Sequence, residues 1–408
     1  MYVNAFLKAS QGLVKSLRNR YLFCLLLVAG LKLLVSLWVY GLIVAYSKGA
    51  FALPWMMKQT VNIGLERWWA LPIQTPSWTF LFQGWDSPFY VLIARSGYSF
   101  PFYTFSPAFP ALIKAFTYVL GDVWVASSLV SIIIGLAWVP VFQKLAEQYL
   151  TEHDALEATI LAATFPYVFL FTTVAYTEGL FTLTTLAAWF LHLKKKHLPA
   201  ALLASIATLT RMPGILIILP MIINSMIIKA KPRATRLSLI IDFPLVYLLP
   251  VAALGSWFIY VQLTTGSWYT IFTSGGEWGG KNASGTSGFW LLQMLTLHPL
   301  NPMPVEVTSQ SGSIPAILTA LAFASLFFLL ATKTWSMDRA LAVYSWLLMV
   351  FLLYFGYTLS QLRFFSFIFP SWLMLRTGSR IGLVLVTGLF LVASGILWFF
   401  FLIRYFVG

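Results

Sequence analysis

Four ionisable side chains interrupt or border apolar sequence: Asp86 in Gln83-Gly84-Trp85-Asp86-Ser87-Pro88, Glu178 in Tyr176-Thr177-Glu178, Arg211 in Thr210-Arg211-Met212-Pro213-Gly214, and Arg363 in Gln361-Leu362-Arg363-Phe364-Phe365. A carboxylate can take a proton from a hydroxyl, help typically worth about 10² to 10⁴ in rate. A guanidinium is a planar fork that grips a phosphate through two charge-assisted hydrogen bonds. Placed at the water boundary of a bilayer, this set points to chemistry on a lipid-linked molecule. Trp85, Tyr176 and Gln361, their close neighbours in the chain, are candidates for contact with the same substrate.

Each charge also has a plainer reading. Asp86 before Ser-Pro suits a helix cap or a solvated turn. Glu178 lies between two apolar runs, where an ionised group costs roughly 2.5 to 3.5 kcal/mol at mid-depth and less at the interface; it can be a helix-end acid reaching for water. The two arginines can pair with the acids or serve only to orient the chain.

The elements that carry these residues follow from composition. Of 408 residues 60% are hydrophobic and 9% charged, and the mean hydropathy is +0.83. That exceeds the norm for soluble domains and offers repeated runs long enough to cross a bilayer. The expectation is an all-α polytopic membrane protein forming a single domain. The formal charge of +14 falls in short loops between spans, which marks topology and excludes nucleic acid as the partner. Cys24 has no second cysteine to pair with, so redox compartment is not readable. The N-terminal stretch lacks the features of a cleavable signal.

A first span is expected over about 21–46, behind Lys8, Lys15, Arg18 and Arg20, which places the N-terminus in the cytoplasm. A first external segment, about 47–106, is broken by prolines and reads as short interfacial helices bearing Asp86. The run at about 106–120 is too short to span comfortably. Ten further spans are expected near 123–143, 156–175, 179–193, 198–211, 213–228, 237–263, 314–331, 339–359, 363–375 and 381–403, with a second external loop over about 264–313. This arrangement, about eleven spans in all, puts Lys194 to Lys196, the basic stretch Lys229 to Arg236, Lys333, Arg339, Arg376 and Arg380 inside. It brings Asp86, Glu178, Arg211 and Arg363 together at the exterior face, or the lumenal face of the endoplasmic reticulum.

Other features carry less. The four histidines are scattered and no metal-ligand spacing occurs, so no metal is expected. Gly275 to Gly280 follows no strand and is no dinucleotide fingerprint. His298 is a lone histidine in the second external loop, and Asn282-Ala283-Ser284 is a sequon of low specificity.

Trp85-Asp86, Ile93-Ala94-Arg95-Ser96-Gly97-Tyr98, Phe105-Ser106-Pro107-Ala108-Phe109-Pro110, Ala175-Tyr176-Thr177-Glu178-Gly179-Leu180-Phe181, Thr210-Arg211-Met212-Pro213-Gly214, Gln361-Leu362-Arg363-Phe364-Phe365 and Pro370-Ser371-Trp372 follow one another in an order that resembles the motif series of the PIG-V family, the second mannosyltransferase of GPI-anchor synthesis and its prokaryotic relatives. The arginine motif departs from the eukaryotic Arg-Ser-Asn-Gly. The resemblance implies a GT-C type fold and an inverting glycosyltransferase that takes mannose from dolichyl phosphate. It implies Asp86 as catalytic base, Arg211 and Arg363 on the leaving phosphate, and Glu178 orienting the acceptor or an arginine. The implied partners are a lipid-linked sugar donor, a glycolipid or glycan acceptor and membrane lipids, with no cofactor and no metal requirement. Two alternatives stay open: a transporter or lipid scramblase, and a non-catalytic subunit of a glycan-assembly complex.

Overall fold

The computed structural model describes residues 19–50, 78–229, 245–278, 325–355 and 361–403; the side chains of 226–229, 275–278, 353–355 and Gln361 fall outside that description. Among the described residues the chain is helical without a strand. Four stretches are long and apolar enough to cross a bilayer by length and composition: α1 (Arg20–Ser47), α4 (Val123–Ala146), Leu245–Thr265 and α14 (Arg380–Leu402). The exposed face of α14 is lined by Ile381, Val384, Leu385, Leu389, Val392 and Ile396, and that of α1 by Leu33, Leu34 and Leu37. An exposed stripe of this kind at helical spacing has lipid as its solvent. The protein is an integral membrane protein.

Between α1 and α4 lie a 3₁₀ turn at Trp78–Phe82, α2 (Ser87–Ser96), a second 3₁₀ turn at Phe102–Thr104, and α3 (Ala108–Leu120). At 13 residues, α3 is about 20 Å long, in keeping with a run too short to span. Short helices after the first span are thus present from Trp78 onward; 51–77 lie outside the described residues.

The span expected over 156–175 is divided. It is α5 (Glu152–Thr164) and α6 (Pro166–Phe171), meeting at Phe165. Pro166 lacks the N–H that a continuous helix needs and disfavours helical backbone at Phe165, so the helix restarts in a new direction. A turn over 172–177 then leads into α7 (Glu178–Leu193), which packs against α4 and α8 (His197–Thr210). The expected span at 213–228 begins as a 3₁₀ turn, Met212–Ile217, before α9 (Ile218–Lys229). After α10 (Leu249–Thr265), α11 (Thr270–Trp278) falls where the second external loop was expected; most of that loop, with the sequon and His298, lies outside the described residues. α12 (Arg339–Phe355) precedes α13 (Gln361–Ser366) and a 3₁₀ turn, Phe369–Met374, which together replace the expected span at 363–375. Pro370 explains that break, as Pro166 explains the other.

Trp138, Trp189, Trp372 and Trp398 are fully buried in the main core, where α4, α7, Phe369–Met374 and α14 supply large rings that fill space without strain.

Candidate active site

The segment that carries Asp86 is held by hydrogen bonds to α14, to α4 and to the turn before α7. Leu81 accepts a hydrogen bond from Trp398 Nε1 of α14 (2.8 Å), and Gln83 Nε2 donates to Ser127 (2.7 Å) and Ser128 (3.2 Å) on α4. Ala175 N–H donates to the Phe82 carbonyl (2.8 Å), and Asp86 N–H donates to the Tyr176 hydroxyl (2.9 Å). Trp85 takes a left-handed backbone with φ of 47°, a conformation rare outside glycine that persists only where the surroundings enforce it. Its ring is half-buried against the main core.

Asp86 occupies the N-cap position of α2, yet its side chain makes no capping hydrogen bond. The plain reading of Asp86 as a helix cap fails on this point, and the carboxylate is left for other work. Its side chain is 35% exposed and stands 3.9 Å from Arg363 Nη1. Burial pushes the Asp86 carboxyl above its ordinary value; Arg363 pulls the other way, Glu178 adds to the rise, and Arg211 opposes it.

Glu178 opens α7 and is buried, with 1% of its side chain exposed. Both guanidiniums converge on its Oε1: Arg211 Nη1 at 2.5 Å and Arg363 Nε at 3.3 Å. Thr177 Oγ1 donates to Oε2 at 3.4 Å. The plain reading of Glu178 as an acid reaching for water fails too, because its water-facing surface is gone.

Arg211 arrives here because α8 stops. Its backbone is extended (φ −153°, ψ 133°), and the chain turns back through Met212-Pro213-Gly214. A Cβ at Gly214 would run into the Ala207 backbone, so this close return needs glycine.

Arg363 is 10% exposed and is sandwiched by rings, its guanidinium carbon lying 4.9 Å from the centre of Phe171, 5.4 Å from Tyr176 and 4.6 Å from Phe364. The far face of the site repeats the device, with Arg211 4.7 Å from Phe364. Arg363 Nε has ion-pair proximity to Glu178 but no aligned hydrogen bond among the described residues.

Two acids and two arginines therefore meet as expected from the sequence, joined by Tyr176. Gln361 opens α13 two residues from Arg363, its side chain outside the described residues. Phe171 and Phe364, which stack on the guanidiniums, and Lys32, which reaches the turn before Glu178, were missed. Phe364 adjoins Arg363 in sequence, and Lys32 is a lone lysine within an apolar run, so both left a signal.

The fold also gathers a group that the scattered histidines concealed: His153, Asp154 and Glu157 bring ligand atoms within 4.8 Å of one another. It sits at the other end of the bundle. Ser127, beside Gln83, and Glu147, beside Arg20, are separated by about 30 Å of α4. Glu157 Oε1 is committed there to Thr377 N–H (2.6 Å) and to the Thr377 hydroxyl, and Asp154 to Arg376 (3.5 Å).

A buried guanidinium that is ion-paired but makes no aligned hydrogen bond among the described residues, beside a half-open carboxylate, can bind an anionic leaving group while the acid takes a proton. No curated protein matches the chain. Residues 104–269, which include Glu178 and Arg211, match the family model for dolichyl-phosphate-mannose-protein mannosyltransferase, a likeness that supports a GT-C mannosyltransferase-like relationship.

Proposed function

We propose that the chain is an inverting GT-C type glycosyltransferase of the PIG-V kind, moving a sugar, mannose above others, from a polyprenyl phosphate carrier to a hydroxyl of a glycolipid or glycan acceptor. One observation carries this reading. Arg363 is buried, makes no aligned hydrogen bond among the described residues, and lies 3.9 Å from a carboxylate that caps nothing. Buried guanidinium donors are normally satisfied, and a phosphate is the ligand whose geometry suits the fork.

In this scheme the acceptor oxygen forms a bond to the anomeric carbon while Asp86 takes its proton. The bond from that carbon to the phosphate oxygen breaks, and its electron pair leaves with the polyprenyl phosphate, which Arg363 and Arg211 stabilise. Glu178 holds both guanidiniums in place, and Tyr176, Trp85 and Gln361 border the substrate. Four protein charges of this site sum to zero, so an incoming phosphate meets no net repulsion. A monoester phosphate leaving on two guanidiniums makes no demand for a divalent ion, and activity in excess chelator is expected. The sugar transfer takes place at the non-cytoplasmic face with the N-terminus inside. In support, Arg20, Lys144, Lys194 and Arg376 collect at the end of the bundle away from Asp86.

The test is incubation of purified protein with radiolabelled polyprenyl-phosphate mannose or glucose and a panel of glycolipid acceptors, with the product identified. Transfer from the lipid donor is the expected result. Transfer from a sugar nucleotide alone, or Asp86→Asn retaining full activity, overturns the reading.

A further inference from the structure

Lys32 lies within α1, only 7% exposed. Its Nζ reaches the Phe169 carbonyl (3.3 Å), Thr172 Oγ1 (2.9 Å) and Thr173 Oγ1 (2.7 Å). The two threonine hydroxyls donate in turn to the Val168 carbonyl (2.6 Å) and the Phe169 carbonyl (2.5 Å). Their protons are thereby committed, so all three contacts need an N–H from the lysine. Only the ammonium form has three. The Phe169 ring covers another side at 5.0 Å, and no carboxylate pairs with Lys32 among the described residues.

An ammonium held in an apolar span is costly, and exchange of a buried charge for an apolar group of similar volume is often neutral or stabilising. Stability does not account for this lysine, but its contacts do. It grips the last turn of α6 and the two threonines that open the 172–177 turn. Gly135 of α4 lies so near that a Cβ there would run into the Thr172 carbonyl and come within 3.9 Å of Lys32 Nζ, and Gly179 faces Ile134 and Gly135. The turn is held by the ammonium and packed closely against a glycine. From it project Tyr176, which receives the Asp86 N–H, and Glu178, which receives both guanidiniums.

We propose that Lys32 is a positioning residue for the transfer reaction, acting through Thr172 and Thr173 to set the register of Tyr176 and Glu178 against Asp86 and the two arginines. This rests on the transferase reading above. The experiment compares wild type, Lys32→Met, Lys32→Arg and Thr172→Val/Thr173→Val in nanodiscs by three measurements: thermal midpoint, hydrogen exchange of peptides covering 172–178, and kcat and KM with polyprenyl-phosphate mannose. In Lys32→Met the midpoint is expected to hold or rise, exchange over 172–178 to quicken with the α4 peptides unchanged, and kcat to fall at least about tenfold with donor KM within about threefold. The threonine double variant should reproduce the kcat loss, adding little when combined with Lys32→Met, and Lys32→Arg should recover part of it.

Unchanged exchange and kcat in Lys32→Met overturn the proposal. So does a lowered midpoint with normal kcat per folded molecule, which would make Lys32 purely structural. Quickened exchange in a protein whose wild type transfers no sugar upholds the anchoring of the turn and sinks the transferase reading instead.

Discussion

At the Glu147 end of the bundle each acid has a close cationic or hydroxyl partner. Glu147 takes Arg20 Nε at 3.0 Å and the Tyr21 hydroxyl at 2.5 Å, Glu152 takes Arg20 Nη1, Glu157 takes two donors from Thr377, and Asp154 takes Arg376. At the Asp86 end two guanidiniums share one oxygen of Glu178, while among the described residues the Asp86 carboxylate has its ion-pair partner at 3.9 Å and Arg363 Nε no aligned acceptor. On the transferase reading proposed above, the contrast is between charges that hold structure and charges kept for a ligand. Closely paired charges offset part of their own desolvation, whereas a loosely partnered buried charge costs stability, and such charges cluster at functional sites.

The contrast is broken most decisively at Asp86. Asp86→Asn should lower kcat by about 10² to 10⁴ without lowering the thermal midpoint, as measured on the purified protein. The sign follows from the direction of its shift. A carboxyl held above its ordinary value favours folding while protonated, and that contribution is lost as pH rises through the raised value. At neutral pH the asparagine variant should therefore be no less stable than wild type. A midpoint falling steeply would return Asp86 to a structural role.

Arg363→Gln should cost about 10² in kcat by removing a donor to the leaving phosphate. It should also move the acid limb of the kcat/KM profile upward. In wild type that limb is expected above the ordinary carboxylate range, because burial raises Asp86; Arg363 is the largest influence holding it down, so its loss should lift the limb further. An acid limb that stays put in Arg363→Gln would disconnect the two groups.

Glu178→Gln tests whether one acid organises both arginines. Leaving two guanidiniums beside a neutral amide should destabilise the fold by about 3 kcal/mol, read from denaturation in detergent, together with loss of transfer. At the other end, Glu157→Ala should cost about 1 to 3 kcal/mol through the orphaned Thr377 N–H and leave kcat where it was. If Glu157→Ala abolished transfer at unchanged stability, the division between the two ends would be wrong, and the His153, Asp154 and Glu157 group would need a functional role.

Much of the site was legible because charge is expensive in apolar sequence. Glu178, Arg211 and Arg363 stood out on that ground and Asp86 by its place in a polar, proline-broken segment just outside the first span, and the fold brings all four together. Lys32 met the same criterion within the first span and was passed over among spans counted only by hydropathy. The helix breaks at Phe165-Pro166 and around Pro370 were written in the prolines, yet window-averaged apolarity read through them.

Apolar length, proline positions and the placement of basic residues are local quantities, and from these the sequence by itself determined a helical membrane protein with charges set at the borders of its spans. Which acid would be closely partnered and which left half-open depended on partners far along the chain: Arg211 and Arg363 on Glu178, Thr377 on Glu157, Lys32 on the turn before Tyr176. Tertiary structure alone decided that, because hydrogen-bond saturation is a property of three-dimensional neighbours and no periodicity of the chain records it.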